Sequence, residues 1–390
     1  MSQDPFSPAR LGPIELRNRI VKAATFEGMT STHLVSDELV EFHRQTARGG
    51  VGMTTVAFCG VSPQGCSTPN EIILTDEAIP GLRRLAEAAH AEGAAVSAQL
   101  GHAGAVAAAT GHPAVSPSPI WSALAVSRTR AVSPEQIERI TQDFADAAGR
   151  LREAGFDCVE IHLGHGYLPS EFLSPKLNRR KDAWGGSLEN RARFPRDIAA
   201  RVRAAVGSEM AVIAKLNMVD GVDGGLWLDE SIAVARMLEA DGAIDALELT
   251  GGSSLQNAMY LFRGEAPISA LSGQMPKAIG LGLKLFGRFV FKSYPFEEAY
   301  FLRFARQFRA ALDMPLILLG GINQRETIDR AMDEGFEFVA MGRALLREPD
   351  LVNRMAKGEA RDSLCVHCNR CMATIYAGTH CVLAESRLAE

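Results

Sequence analysis

The sequence contains no long hydrophobic run. None of its uninterrupted apolar stretches reaches the roughly twenty residues that a membrane-spanning helix requires. Its N-terminus also lacks the basic segment followed by an apolar segment that marks a secretory signal. We therefore expect a cytoplasmic protein that does not cross a membrane.

The sequence also lacks an excess of positive charge. It has 41 Lys and Arg residues against 46 Asp and Glu residues, which gives a net charge of −5. Because binding to a phosphate backbone requires clustered Lys and Arg side chains, this balance argues against nucleic acid as a partner. It leaves the class of soluble enzymes, and a chain of this length can bury a sizeable core.

Cysteine is scarce, with seven residues in the chain. So few thiols do not suggest a disulfide framework, and an intracellular protein keeps them reduced. Four of them lie in one short C-terminal stretch, at Cys365, Cys368, Cys371 and Cys381. Separations of two, two and nine residues are compatible with four thiolates around an iron–sulfur cluster or a zinc ion. Unligated thiols are the alternative, and His367 and His380 also allow mixed ligation.

Short apolar, partly β-branched runs alternate with longer helical patterns through most of the chain. We place eight strands near residues 20–24, 53–58, 95–100, 158–163, 212–216, 246–249, 316–319 and 338–341. Candidate helices lie between them, at residues 135–153, 190–206, 229–240 and 296–312. Eight such cycles predict a (β/α)8 TIM barrel, and an open doubly wound sheet is the alternative.

The predicted barrel occupies residues 1–358, and a cysteine-rich tail occupies residues 359–390. The connection after the sixth strand, about residues 253–315, is too long for an ordinary barrel loop. Part of it interleaves four cations with apolar residues, but Gly280, Gly282 and Gly287 weaken the prediction of a helix there. We expect a lid or capping insertion at the active face, and a membrane-surface or partner-binding helix is the alternative.

Two histidines and a tyrosine follow the fourth predicted strand. His162, His165 and Tyr167 lie where the carboxyl end of a barrel strand meets the active face. Neutral imidazoles can donate to one substrate oxygen and a phenol can deliver a proton, so this set suits stabilisation of an oxyanion or enolate. The spacing of the histidines is by itself equally compatible with a structural pair or with two metal ligands.

Glycines follow the seventh and eighth predicted strands. Gly320 and Gly321 end the seventh strand, and Gly342 precedes Arg343 at the end of the eighth. Glycine lets the backbone approach a phosphate closely, and arginine adds a charge-assisted hydrogen bond. Because barrels often bind phosphate at these two loops, we predict a phosphate site here; ordinary turn glycines are the alternative.

The stretch EIHLGHGYLPSEFLSPKLNRRKDAWGGSLENRARF, at residues 160–194, resembles the bacterial branch of the Old Yellow Enzyme family of flavin-dependent oxidoreductases. The resemblance extends over nearly the whole chain, through LGPIELRNRIV, QLGHAG, LLGGIN and FVAMGRALLREPDL. It implies bound flavin mononucleotide (FMN) and NAD(P)H as the hydride donor.

Individual positions match the family's flavin contacts. The resemblance implies that Gln99 bonds the pyrimidine side of the ring and that Lys215 places a cation near N1 and O2. The remaining implied contacts are Ala23, Ala24, Thr25 and Phe26 along the ring, Gly60 close to it, and Gly321, Gly342 and Arg343 at the phosphate. Phe26 departs from the family pattern, since it has neither the hydroxyl nor the thiol that tunes the flavin. Glu27 is the neighbouring candidate for that contact.

The resemblance also implies the reaction and its partners. An α,β-unsaturated carbonyl compound would be reduced at its activated C=C bond, with His162 and His165 holding the carbonyl oxygen and Tyr167 donating the proton. The intact set of three argues against a non-catalytic flavin-binding barrel. A metal hydrolase would need carboxylates or further histidines at the strand ends. A homo-oligomer is compatible with this assignment.

The cysteine tail resembles that of the trimethylamine dehydrogenase and 2,4-dienoyl-CoA reductase group, in which four cysteines hold a 4Fe-4S cluster. This resemblance implies an alternative function: an iron–sulfur flavoprotein that exchanges electrons with a protein partner. The last cysteine gap is shorter than in that group, and the second dinucleotide-binding part of those enzymes is not present in this sequence.

Overall fold

A closed barrel of eight parallel strands forms the centre of the protein. The computed structural model describes residues 3–107, 111–274, 277–375 and 377–384. The strands are β1 (Ile20–Lys22), β2 (Met53–Gly60), β3 (Ala95–Gly101), β4 (Cys158–Leu163), β5 (Ala211–Asn217), β6 (Ala246–Thr250), β7 (Leu316–Leu319) and β8 (Phe338–Met341). Each strand pairs with its neighbours in chain order, and β1 pairs with both β8 and β2. This closure confirms the predicted TIM barrel and excludes the open sheet.

Helices surround the barrel. They are α1 (Asp37–Arg48), α2 (Ile79–Ala91), α3 (Pro134–Glu153), α4 (Leu168–Leu173), α5 (Leu188–Val206), α6 (Leu228–Asp241), α7 (Ala258–Phe262), α8 (Ile268–Gly273), α9 (Lys277–Val290), α10 (Leu302–Arg309), α11 (Arg325–Asp333), α12 (Arg343–Arg347) and α13 (Leu351–Ala356). Local sequence determines where α3 begins. The Ser133 hydroxyl accepts from the Gln136 amide, and the Gln136 side chain accepts from the Ser133 amide. None of these helices is long and apolar enough to span a bilayer.

Shorter elements close the lower end of the barrel and border its mouth. The short strands are Ala9–Leu11, Ile14–Leu16, Ile72–Ile73, Val115–Ser116, Trp121–Ser122, Ser127–Arg128 and Arg130–Ala131, and 3-10 turns span Pro63–Gly65, Asp76–Ala78, Gly104–Val106 and Arg370–Ala373. The N-terminal hairpin buries Leu11 and Leu16 against the apolar lower interior of the barrel. The lower end of the barrel is therefore filled by apolar side chains. We expect the active site at the opposite end, where the strands have their carboxyl termini.

Alternation along the strands sorts the barrel interior into layers. Because side chains in a strand point to opposite faces in turn, β4 directs Cys158, Glu160 and His162 inward at successive levels. Likewise β5 directs Lys215 and β6 directs Glu248 inward. The interior thus passes from an apolar layer through a charged layer to the histidine at the mouth.

The long connection after β6 contains four helices, α7 to α10. The stretch in which glycines weakened the helix prediction forms the helix α9. Gly280 and Gly287 lie on the side of α9 that faces α8, where an added Cβ at Gly280 would collide with the carbonyl oxygen of Ser272. These glycines permit close helix packing. Residues 275–276 lie outside the described residues.

The last helix of this connection, α10, is shorter than the predicted 296–312. Ala299 has a left-handed backbone, with φ 52°, and its amide donates to the Gly321 carbonyl. A residue in that conformation ends helical geometry, so α10 starts only at Leu302.

The C-terminal tail folds back over the loop that follows β1. The Thr379 amide donates to the Glu27 carbonyl over 2.7 Å, and the Thr379 hydroxyl donates to the Phe26 carbonyl over 2.6 Å. Gly28 lies so close to the Ile375 carbonyl that no larger residue fits there. The tail therefore helps to fix one wall of the barrel mouth. Residues 385–390 of the predicted tail lie outside the described residues.

Candidate active site

The structure brings together the three predicted catalytic residues at the barrel mouth. The rings of His162 and His165 lie 4.8 Å apart, and the His162 ring lies 4.8 Å from that of Tyr167. Tyr167 precedes α4 and stacks on Phe58, with ring centroids 4.7 Å apart. The end of β4 and the start of α4 thus place two imidazoles and a phenol around one point.

Hydrogen bonds connect the two histidines in a chain. The Gly164 amide donates to Nδ1 of His162 over 3.2 Å, which leaves the proton of the neutral His162 ring on Nε2. That Nε2 faces Nδ1 of His165 at 3.2 Å, and Nε2 of His165 lies 2.8 Å from the Thr250 hydroxyl. In this chain Nδ1 of His165 accepts the His162 proton, so Nε2 of His165 donates to the Thr250 hydroxyl. Because a hydroxyl can also donate, Thr250 can support the other His165 tautomer once Nδ1 is released.

Both imidazoles are held neutral. Burial, with a smaller contribution from nearby Lys215, lowers the pKa of His165 to about 3. Burial also lowers the pKa of His162 well below its usual value, with additional contributions from His165 and Lys215. At neutral pH the pair therefore offers neutral N–H donors and cannot act as a cationic acid.

His165 is held in a strained conformation. Its φ of 60° lies in the left-handed region, which a residue other than glycine adopts at a cost. Its amide donates to Oδ1 of Asn217 over 3.0 Å, and its carbonyl accepts from the Ser254 amide over 2.8 Å. Two neighbouring barrel loops therefore fix the orientation of this ring.

A buried charged layer lies beneath the histidines. Nζ of Lys215 lies 2.8 Å from Glu160 and 3.0 Å from Glu248, and the Gln99 amide donates to Glu160. Burial alone would lower the pKa of Lys215, but the two carboxylates outweigh it and the net shift is upward. Burial raises the pKa of Glu248 to about 7, against the opposing effect of Lys215. The lysine is thus a fixed cation, while a nearby carboxyl group readily holds a proton.

The segment predicted to line the flavin lies beside this layer. The Ala23 amide donates to the Met341 carbonyl, and a Cβ added at Gly342 would lie 3.3 Å from Cγ2 of Thr25, so the ends of β1 and β8 meet. The buried Thr25 hydroxyl has no hydrogen-bond partner within the described part of the chain. A buried cation, an amide and an unpaired hydroxyl fit the polar edge of an isoalloxazine ring, as predicted for Lys215, Gln99 and residues 23–26.

Glu27 does not replace the missing contact of Phe26. Its carboxylate is buried against Nζ of Lys22 at 2.7 Å and accepts from the Ala57 amide over 2.8 Å. The Lys22 ammonium also lies over the ring of Phe42 in α1, so this ion pair belongs to the packing between the barrel and α1. Glu27 therefore stabilises the packing of the barrel against α1.

Phe58 is a mouth residue that the sequence reasoning missed. Its ring stacks on Tyr167, lies 6.2 Å from the His162 ring and occupies the space above Gly101. Gly60 was predicted to approach the flavin. A Cβ added at Gly60 would point toward Glu71 and Cys66. An irregularity in the pairing between residues 56 and 59 of β2 reorients the end of the strand, and such bulges are hard to read from sequence.

The predicted phosphate residues have additional structural roles. Gly320 and Gly321 have positive φ angles and lie under the rings of Phe301 and Tyr300, which leave no room for a Cβ. The Arg343 guanidinium donates to the Phe262 carbonyl over 2.5 Å and to Oδ1 of Asn369, which joins α12 to the tail. The phosphate role of Gly321, Gly342 and Arg343 stays a prediction.

The four tail cysteines surround one small cavity. Cys365, Cys368, Cys371 and Cys381 line it together with Arg343, Arg347 and His367, and its volume is about 20 Å³. Burial raises the pKa of Cys365 and raises that of Cys371 to about 11. Among the described residues, no three or more His, Cys, Asp or Glu side chains are arranged to hold a metal ion. The predicted cluster ligands are gathered together but remain a prediction.

Comparisons with known proteins agree with this arrangement. The chain is 54% identical over 383 residues to a 4,4'-dithiodibutanoate disulfide reductase of Rhodococcus erythropolis. The aligned region covers 98% of the chain and 95% of that protein. It is 35% identical to a metal reductase of Desulforamulus reducens over 94% of the chain, but spans only 50% of that longer protein. A structure of 2-naphthoyl-CoA reductase with 2-naphthoyl-CoA superimposes with a TM-score of 0.82 at 27% identity, covering 97% of the chain and 56% of that protein.

A family profile matches residues 4–254, which include the mouth residues from β1 to β6. Its description is the NADH:flavin oxidoreductase / NADH oxidase family. The chain therefore belongs to this family, the Old Yellow Enzyme family, and is an FMN-dependent NAD(P)H:flavin oxidoreductase.

Proposed function

We propose that the protein reduces the activated C=C bond of an α,β-unsaturated carbonyl compound with electrons from NAD(P)H. The observation that carries this proposal is the pair of facing nitrogens, Nε2 of His162 and Nδ1 of His165, 3.2 Å apart on two neutral rings. In the free site the proton on Nε2 of His162 fills this contact. When a carbonyl oxygen takes its place and the Thr250 hydroxyl donates to Nε2 of His165, the His165 proton lies on Nδ1 and both facing nitrogens can donate. One carbonyl oxygen can then accept from both rings.

The other residues have matching roles. Gln99, Lys215 and Thr25 would hold the flavin ring, and bound FMN, once reduced by NAD(P)H, would supply hydride to the substrate. Tyr167 lies beside His162 and would deliver the proton that completes the reduction. Phe58 stacks on Tyr167 and would hold its ring in place.

The test replaces both histidines with alanine. We expect phenol binding to weaken and alkene turnover to fall by at least about 100-fold, because two oxyanion donors are lost. FMN content should be unchanged. His112→Ala, at an exposed loop position, is the matched control. Unchanged turnover in the double variant would contradict the assignment.

An organic disulfide is a second candidate substrate, favoured by the 54% identity to a disulfide reductase over nearly both full lengths. Reduction adds two electrons and two protons across the S–S bond and releases two thiols. Tyr167 would protonate a departing thiolate from the position that serves the alkene reaction. Parallel assays with 2-cyclohexenone and 4,4'-dithiodibutanoate, following NAD(P)H consumption and thiol release, identify the preferred substrate.

We further propose that the tail cysteines hold an iron–sulfur cluster, which would add the capacity to exchange electrons with a protein partner. The shared cavity and two neighbouring arginines support this proposal. Nη1 of Arg347 lies 3.9 Å from Sγ of Cys381, and donors to sulfur tune such clusters. Iron and acid-labile sulfide assays on anaerobically purified protein, with Cys371→Ser as the comparison, test it. Absence of both elements from the unaltered protein would overturn it.

A further inference from the structure

A second, larger cavity lies between the chain segments that follow β3, β4 and β6. It has a volume of about 340 Å³, which is the size of a small-molecule site. Its walls include Trp121, which lies in the short strand Trp121–Ser122 that pairs with Ser127–Arg128. The segment 176–179 after α4, and Leu255 and Gln256 after β6, form the other walls. We call this cavity the side groove.

The side groove is connected to the active site through two chain segments. Ser253 pairs with His165, and the Ser254 amide donates to the His165 carbonyl over 2.8 Å. Leu255 and Gln256 continue directly from these residues into the groove wall. On the other side, α4 leads from Tyr167 to the segment that carries Lys176. Two walls of the groove are therefore continuous in the chain with the segments that hold His165 and Tyr167.

Two cations of the side groove bond to backbone carbonyls rather than to carboxylates. Nζ of Lys176 donates to the Asp223 carbonyl over 2.9 Å, and Nη2 of Arg179 donates to the Pro119 carbonyl over 3.4 Å. Across the described ranges, neither forms an ion pair with a carboxylate. The adjacent Arg180 differs, because Asp182 accepts from it through both carboxylate oxygens. A pair of uncompensated cations attracts an anion.

The remaining lining suits a short apolar chain. Trp121 is 67% exposed at the rim, although an indole normally buries most of its surface. Leu177 and Leu255 face the same cavity. An alkyl segment lying between these three side chains would cover the indole and place a terminal anion near the cations.

We propose that the side groove binds the carboxylate end of the substrate, which is a small organic acid with an alkyl spacer between the carboxylate and the reducible group. Lys176 and Arg179 bind the carboxylate, and Trp121, Leu177 and Leu255 contact the spacer. The reducible group then lies at His162, His165 and Tyr167. This inference rests on the proposed function, because it specifies the substrate of the same site.

The test measures binding to the oxidised holoenzyme by calorimetry, without NAD(P)H. The probes are 4,4'-dithiodibutanoate and its neutral dimethyl ester. For the variant with Lys176→Gln and Arg179→Gln, we expect binding of the dianion to weaken at least about tenfold, because charge-assisted hydrogen bonds are lost. Ester binding should change by less than about twofold. Lys181→Gln removes an exposed cation outside the groove and is the matched control.

Turnover measurements separate the two proposals. Charge-dependent binding of the dianion without reduction of either a disulfide or an enone would support the groove and overturn the proposed reaction. Reduction of these acceptors with equal losses for the dianion and the ester, or with no loss for either, would overturn the groove. Absence of dianion binding to the unaltered holoenzyme would also overturn it.

Discussion

The residues at the barrel mouth were only partly predictable from sequence. His162, His165 and Tyr167 lie within six positions of one another, so their approach follows from one strand end. Thr250, which contacts His165, lies 85 residues further along the chain and meets it only because β6 stands near β4 in the closed barrel. Such a partner has no local sequence signal.

Thr250 should control the tautomer of His165. Thr250→Val removes the hydroxyl that can donate to Nε2, so the Nδ1–H form that faces the substrate loses its support. We expect phenol binding to weaken about tenfold, the worth of one buried hydrogen bond, whereas Thr250→Ser should retain near-normal affinity. Titration of the oxidised flavin spectrum with phenol measures both. Equal affinities of the two variants would contradict this role.

His102 should make folding stability depend on pH. Burial lowers its pKa to about 3, so the native state stays unprotonated while the unfolded chain, with a usual pKa near 6.5, takes up a proton. Its contribution is therefore fully present above about pH 6.5 and is lost as pH falls toward 3.

We expect His102→Gln to reduce the acid-side slope by up to about 1.4 kcal/mol per pH unit, the value for one proton. Urea unfolding between pH 7 and pH 5 measures the slope, and the exposed His112→Gln is the control. A slope identical to that of the unaltered protein would contradict the prediction.

At the scale of elements, strands were predicted more accurately than the long connection. The runs at 158–163, 316–319 and 338–341 match the observed strands at both ends, because buried parallel strands are short, apolar and bounded by turn residues. Helix α9 was only weakly predicted, because its glycines argue against a helix when the segment is considered alone. Gly280 and Gly287 allow α9 to pack closely against α8, and this tertiary contact has no signal in the sequence.

Two of the three glycines of α9, Gly280 and Gly282, should respond oppositely to alanine. Gly280→Ala would place a Cβ against the Ser272 carbonyl and push α8 and α9 apart. Gly282→Ala meets no atom within 4 Å and should stabilise the helix by up to about 1 kcal/mol. Limited proteolysis of this segment should therefore become faster in the first variant and slower in the second. Equal rates would show that the α8–α9 contact is unimportant.

At the scale of the whole molecule, sequence predicted the barrel but not the way in which its connections meet. The eight predicted strands indicated the architecture, and the closed barrel confirms it. The buried layer of Glu160, Lys215 and Glu248 beneath His162 was not predicted. The fold of the tail over the loop after β1, and the side groove formed by three distant segments, depend on tertiary packing. Neither feature is associated with a periodic sequence pattern, so neither could be predicted from the sequence.

The central claim is that this barrel binds FMN and passes electrons from NAD(P)H to an organic acceptor. An ultraviolet–visible spectrum of anaerobically purified protein, recorded before and after NAD(P)H and then after 2-cyclohexenone or 4,4'-dithiodibutanoate, tests it most directly. We predict flavin bands that bleach with the nicotinamide and return with at least one acceptor. A protein without flavin bands, or with bands that NAD(P)H leaves unchanged, would contradict the account.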